Sequence, residues 1–271
     1  MRAHVPSTGL VKYAKLHWAF FRASFAADIE YRMNFFVRII TDVMWYCAQV
    51  LTFEVIFTQT PLLGSWDVHK TRIFLGLLFM VDAVYMIFVQ ENIDHMSQNV
   101  RKGELDLLLV KPVNSQFMVS CRRVATAFIV NFMLAVGWFV WALSTYPEPL
   151  PLIRILWLIL LMPVGFLVFY SLRFLFSAVT VITVRAENLQ YLWYQLYRLG
   201  MRPDTIYSPW MKYVVLTMVP VAFVASVPAR ALLEPPNYGL FAWAVVVGAT
   251  CVYGSSRFWK YALRHYSSAS S

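Results

Sequence analysis

The chain has 271 residues, of which 60% are hydrophobic, 17% aromatic and only 14% charged, and its formal net charge is +9 at neutral pH. Soluble domains carry roughly a quarter charged residues, so a soluble globular domain is excluded. The basic excess does not mark a nucleic-acid binder either, because the cations sit between apolar runs rather than on one face. Cys47, Cys121 and Cys251 lie in or beside those runs without CxxC spacing, and the five histidines are scattered, so neither a disulfide framework nor a metal centre is expected.

Residues 1–33 open the chain as a cytoplasmic tail and an interfacial helix. Over 8–32, Lys12, Lys15, Arg22 and Arg32 interleave with Leu16, Trp18, Phe20, Phe21 and Phe25, too polar a mixture to span a bilayer yet apolar enough to lie on one. A cleavable signal peptide is not expected, since the apolar patch 17–27 is interrupted by Arg22 and followed by Asp28 and Glu30. Six apolar runs follow at 34–57, 72–90, 117–143, 152–184, 206–233 and 238–256. A bilayer core about 30 Å thick needs about 20 apolar residues in helical form, and the runs lack the alternation of barrel strands. The expected fold class is therefore an all-α integral membrane protein with six transmembrane helices over 34–258 and a short tail at 259–271.

With the amino terminus in the cytoplasm, Lys70, Arg72, Arg154 and Arg230 are the only cations assigned outside, so the positive-inside rule places both termini in the cytoplasm. On this reading the outer loops 58–71, 144–151 and 234–237 are short. The two longer polar segments, 91–116 and 185–205, both face the cytoplasm. The fifth run is irregular: Pro220 and Pro228 interrupt it, Pro209 precedes it, and Pro235 and Pro236 follow. Proline removes a backbone donor and clashes with the preceding turn, so the segment 207–234 reads either as a kinked span or as a broken, re-entrant element before the last span.

The most informative polar stretch is 91–116. Ile93, Met96 and Val100 recur at helical spacing, which predicts a short amphipathic helix over 91–102, and Gly103 stands where a helix C-cap favours glycine. Leu105 and the run 107–110 follow, closed by Lys111 and Pro112. The stretch reads either as a solvated connector with a membrane-dipping patch or as a docking element with a mixed-charge surface. Within the spans, Arg38 and Asp42 lie four apart and are expected to pair locally, and Glu54 lies near the outer end of its span. Asp82 and Arg173 have no oppositely charged helical neighbour. Ionisable groups at membrane depth are expensive, so these two either pair with each other or line and gate a path.

The stretch Val100-Arg-Lys-Gly-Glu-Leu-Asp-Leu-Leu-Leu-Val-Lys-Pro-Val113, with Gln116 and Phe117 after it, resembles the hallmark of permease subunits of bacterial ATP-binding-cassette (ABC) transporters of the type-2 exporter class. The later stretches Ile206-Tyr-Ser-Pro and Val219-Pro-Val-Ala-Phe-Val-Ala-Ser-Val-Pro-Ala229 resemble the same family. The resemblance implies a coupling helix within 91–102, seated on an ATPase subunit through Glu91, Asp94, His95, Asn99, Arg101, Lys102, Gly103, Glu104 and Asp106. It also implies a re-entrant cap near a translocation path involving Asp82, Arg173, Pro220 and Pro228. The implied assembly has two ATPase subunits, which bind ATP and Mg, and a second permease chain, identical or related, in the bacterial cytoplasmic (inner) membrane. No cofactor is expected in this chain, and no GxxxxGK[ST] phosphate loop occurs in it. An integral membrane lipid-modifying enzyme, using the acids and His95 of 91–106, and an ATP-independent carrier are the alternative readings.

Overall fold

The computed structural model describes residues 9–30, 32–183 and 187–266, and every regular element among them is helical. Helix α1 (Gly9–Glu30) precedes α2 (Arg32–Gln59). Polar side chains fasten α1 along the end of the 91–116 stretch and the chain just after it. Lys12 Nζ donates to the Pro112 carbonyl at 3.0 Å, the Ser24 hydroxyl accepts from Val124 N–H at 3.1 Å, and Asp28 accepts from both the backbone and the hydroxyl of Thr126.

Helix α3 (Val68–Tyr85) starts at Asp67, whose carboxylate accepts from Lys70 N–H at 2.9 Å and caps the first turn. Ile73, Phe74, Leu75, Leu77 and Leu78 are fully buried, so α3 is the central helix and meets protein rather than lipid on most of its surface. It does not stop at residue 90. A π-turn (Met86–Gln90) leads straight into α4 (Glu91–Asp94) and, past a bend at His95, into α5 (Met96–Arg101). The predicted coupling segment is therefore the far end of the α3 rod, broken once, rather than a detached helix. Gly103, at φ 71°, takes the left-handed conformation that ends the rod and opens α6 (Glu104–Leu109). Helix α7 (Ser115–Cys121), α8 (Phe128–Ser144), α9 (Leu152–Thr183) and α10 (Glu187–Gly200) follow.

After α10 the chain breaks into a 3₁₀ turn (Asp204–Ile206), α11 (Pro209–Tyr213), a π-turn (Val214–Met218), a second 3₁₀ turn (Val221–Phe223) and α12 (Ser226–Leu233) before α13 (Tyr238–Arg264). Among the described residues, four stretches are long and apolar enough to cross a membrane: Met33–Gln59, Val68–Arg101, Leu152–Thr183 and Tyr238–Arg264. Phe128–Ser144 is apolar but shorter. Helix α9 packs along α13, α3 along α8, and α12 along α9. A Cβ at Gly165, in the middle of α9, would stand 2.3 Å from the Phe223 carbonyl oxygen. Glycine there lets the broken segment press its backbone against α9, in the way small residues allow close approach within membranes.

Two expectations are corrected. Of the polar segment 185–205, the described residues 187–205 start on the side of 91–116 but do not stay there. Gln190 donates to the Asp94 carbonyl, Tyr197 to Asp82 Oδ1, and Thr205 to the Leu63 carbonyl in the loop before α3. Helix α10 thus lies against the stretch from Asp94 back to Asp82, and the chain beyond it carries Thr205 to the opposite end. The basic residue assigned to the cytoplasm at Lys212 stands there too, 3.7 Å from Asp204, which also pairs with Arg230. The physical reason is burial: with Trp193, Tyr197 and Gly200 packed on protein, α10 does not need an all-round apolar surface. The prolines also divide their roles. Pro220 follows the π-turn and marks a true break, whereas Pro228 sits in the first turn of α12, where its missing N–H costs no helical bond.

Candidate functional site

The bundle carries one polar site at the 91–116 end and a second in its interior, and α3 with its extension contributes to both. At the end, Ile93 and Met96 are fully buried and Val100 nearly so, with Ser177 of α9 donating to the Ile93 carbonyl at 3.0 Å. The helical spacing seen in the sequence is thus the inner face of α4 and α5. The opposite face is open: His95, Gln98, Arg101, Lys102 and Glu104 are exposed, with Asn99 and Gly103 half-buried beside them. Asp106 lies on α6, one residue before Leu107, which is 70% exposed; Val110, just past α6, is 84% exposed.

Glu91 joins three segments of the chain at this end. Its carboxylate accepts from Arg123 at 2.9 Å and from Arg38 at 3.3 Å. Asn92 brackets the same junction, accepting from Arg123 N–H and donating to the Arg123 carbonyl, both at 2.8 Å. A polar cavity of about 230 Å³ opens between Glu91, His95, Asn99, Glu104, Arg122 and Arg123. The expected Arg38–Asp42 pair does not form. Arg38 turns to Glu91, and Asp42, buried, accepts from Asn131 of α8 at 2.7 Å. A neutral amide satisfies part of that carboxylate, and a tertiary partner displaces the local one. Glu54 meets Arg72 in a bidentate pair at 2.6 and 2.8 Å.

In the interior, Asp82 and Arg173 line one cavity of about 220 Å³, walled also by Tyr85, Phe169, Trp193 and Tyr197. They do not pair with each other. Arg173, buried, donates to Asp94, while Asp82 receives a hydrogen bond from the Tyr197 hydroxyl at 3.1 Å. A buried guanidinium needs a carboxylate and further hydrogen bonds to offset its desolvation. Asp94 supplies that partner from the end of the rod, so the interior cavity and the polar end share a residue. Pro220 and Pro228 stand elsewhere, in the broken segment, where Val221 and Phe223 touch Gly200 of α10 and Gly165 of α9. Sequence reasoning missed Tyr197, Trp193 and Gln190. Their signal was the spacing of Trp193, Tyr197 and Gly200, which puts all three on one face of a helix.

A polar, mixed-charge end thus continues a central apolar rod, and an ionisable cavity lies beside that rod at bundle depth. The family model described as ABC-2 family transporter protein matches residues 43–270, and the chain belongs to that family. It is accordingly a permease-type membrane subunit, and the family implies association with an ABC ATPase subunit. No curated protein and no solved structure matches the chain.

Proposed function

We propose that this chain is the membrane permease of an ABC exporter, moving a hydrophobic or amphipathic molecule outward from the bacterial cytoplasmic (inner) membrane. Two copies, or one copy and a related chain, assemble with two ATPase subunits that bind ATP and Mg. The docking surface is the open face of 95–109, carried by His95, Asn99, Arg101, Lys102, Gly103, Glu104 and Asp106, with Glu91 and Asp94 tying it to the bundle, and this end faces the cytoplasm together with both termini. The segment 207–234 is a re-entrant cap on the outer side, and Asp82, Arg173, Pro220 and Pro228 bound the path.

The observation that supports this most is mechanical. The docking face is the continuation of α3, which with its extension is the most buried of the four membrane-length stretches among the described residues, and is joined to it without a loop. A push on α4 and α5 therefore reaches the bundle interior through a rod, and through Asp94, which holds Arg173 in the cavity wall. Closure of the ATPase subunits on ATP favours one arrangement of that rod over another, which is what a ligand-driven switch requires. The conduit contains an irregular turn, the π-turn 86–90, a feature frequent at functional sites.

Affinity purification of the tagged chain from its native membrane in mild detergent tests the reading. An ATPase subunit should co-elute stoichiometrically and be lost when 95–104 is scrambled. Elution of the chain alone, with transport retained, would sink it.

A further inference from the structure

The interior cavity is short of positive charge. Asp82 is 7% exposed, and its hydrogen-bond donor among the described residues is the Tyr197 hydroxyl at 3.1 Å. Among the described residues no cation lies within salt-bridge distance of it, and Arg173, the guanidinium on the same wall, is engaged by Asp94. A carboxylate at membrane depth is costly without a positive partner. The other walls are aromatic: Phe169 stacks with Tyr197 at 4.6 Å and with Trp193 at 5.7 Å between ring centroids, and all three rings line the cavity. Aromatic faces attract cations, most strongly where water is excluded. An anion placed here meets the Asp82 carboxylate, and a neutral polar group leaves its charge uncompensated.

We propose that this cavity binds the cationic head of an amphipathic molecule, an ammonium held by Asp82 and by the aromatic wall of Trp193 and Tyr197, which Phe169 backs. This deepens the permease reading and rests on it for the claim that the ligand is cargo. The size of the cavity fits a head group and little more: about 220 Å³ is below the span of a whole drug-sized pocket. The apolar remainder must therefore lie outside it. Tyr194, on the cavity rim, is 47% exposed, so the opening faces the outer surface of α10 rather than the packed interior. A molecule with its head in the cavity thus lays its tail along a surface that lipid or a second permease copy covers.

The test uses the full chain in lipid nanodiscs without any ATPase, so it stands apart from the co-purification experiment and neither result decides the other. Equilibrium binding of labelled octyltrimethylammonium should be saturable and uncompeted by octanesulfonate. Asp82→Asn should weaken it by roughly tenfold or more and Trp193→Leu by roughly threefold to tenfold, with the size-exclusion profile unchanged. If Asp82→Asn does not fold, the Trp193→Leu shift and the discrimination against octanesulfonate decide the matter. Three results would overturn the proposal. The first is unsaturable binding, and the second is equal competition by the sulfonate. The third is unchanged affinity in Asp82→Asn together with weaker self-association, which would assign Asp82 to a cation of a second copy.

Discussion

Both ends of the bundle are organised around one carboxylate between two cations, and they differ in burial. At the 91–116 end, Glu91 lies between Arg38 and Arg123, with 18% of its side chain exposed and Arg123 more than half exposed. At the opposite end, Asp204 lies between Arg230 and Lys212, its side chain 1% exposed, and Arg230 is tied on to Glu234, which accepts from Trp66. Solvated ion pairs contribute little and rearrange at low cost, whereas removing one member of a buried pair leaves an uncompensated charge. The same chemistry thus makes a fixed anchor at one end and a movable junction at the other. A subunit driven from one side needs that asymmetry.

The comparison predicts a graded set of effects. Asp204→Ala should be the most damaging, lowering stability by about 3 kcal/mol, which corresponds to a fall of roughly 10 °C in the melting midpoint of the purified chain. Gly165→Val should follow at about 1–3 kcal/mol, because its side chain must displace the Phe223 carbonyl and lift the broken segment off α9. Glu91→Gln should cost less than about 1 kcal/mol, since the glutamine keeps an acceptor and the pairs it weakens are partly solvated. Its consequence should be functional: ATP turnover by the assembled complex should no longer respond to transported substrate while melting stays within a few degrees. Leu107→Ser should leave the melting midpoint unmoved and reduce the yield of co-purified ATPase subunit. A large stability loss in Glu91→Gln, or a negligible one in Asp204→Ala, would erase the contrast between the two ends.

The apolar runs made α2, α3, α9 and α13 legible in the sequence, because a helix that meets lipid must be apolar over its length. Helix α10 escaped the same reasoning. Gln190, Gln195 and Arg198 dilute its hydrophobicity, and protein rather than lipid covers Trp193 and Tyr197, so its packing is written in one face only. The inner face of α4 and α5 was readable from Ile93, Met96 and Val100, since helical spacing survives any tertiary context. The ion pairs were not. Arg38 bypasses Asp42 for Glu91 across 53 residues, and Arg173 bypasses Asp82 for Asp94 across 79. Such choices depend on how helices rotate against one another, which a single sequence does not encode locally. The join between α3 and α4 was missed for a simpler reason: the π-turn 86–90 carries no proline or glycine to announce it.

The most direct test of the account is photo-crosslinking in native membranes from a probe placed at Gln98 or Lys102, with the same probe at Leu62 in the opposite loop as reference. The account predicts a crosslink to an ABC ATPase subunit from 98 and 102 and none from 62. Capture of the ATPase from 62, or from neither 98 nor 102, would contradict it.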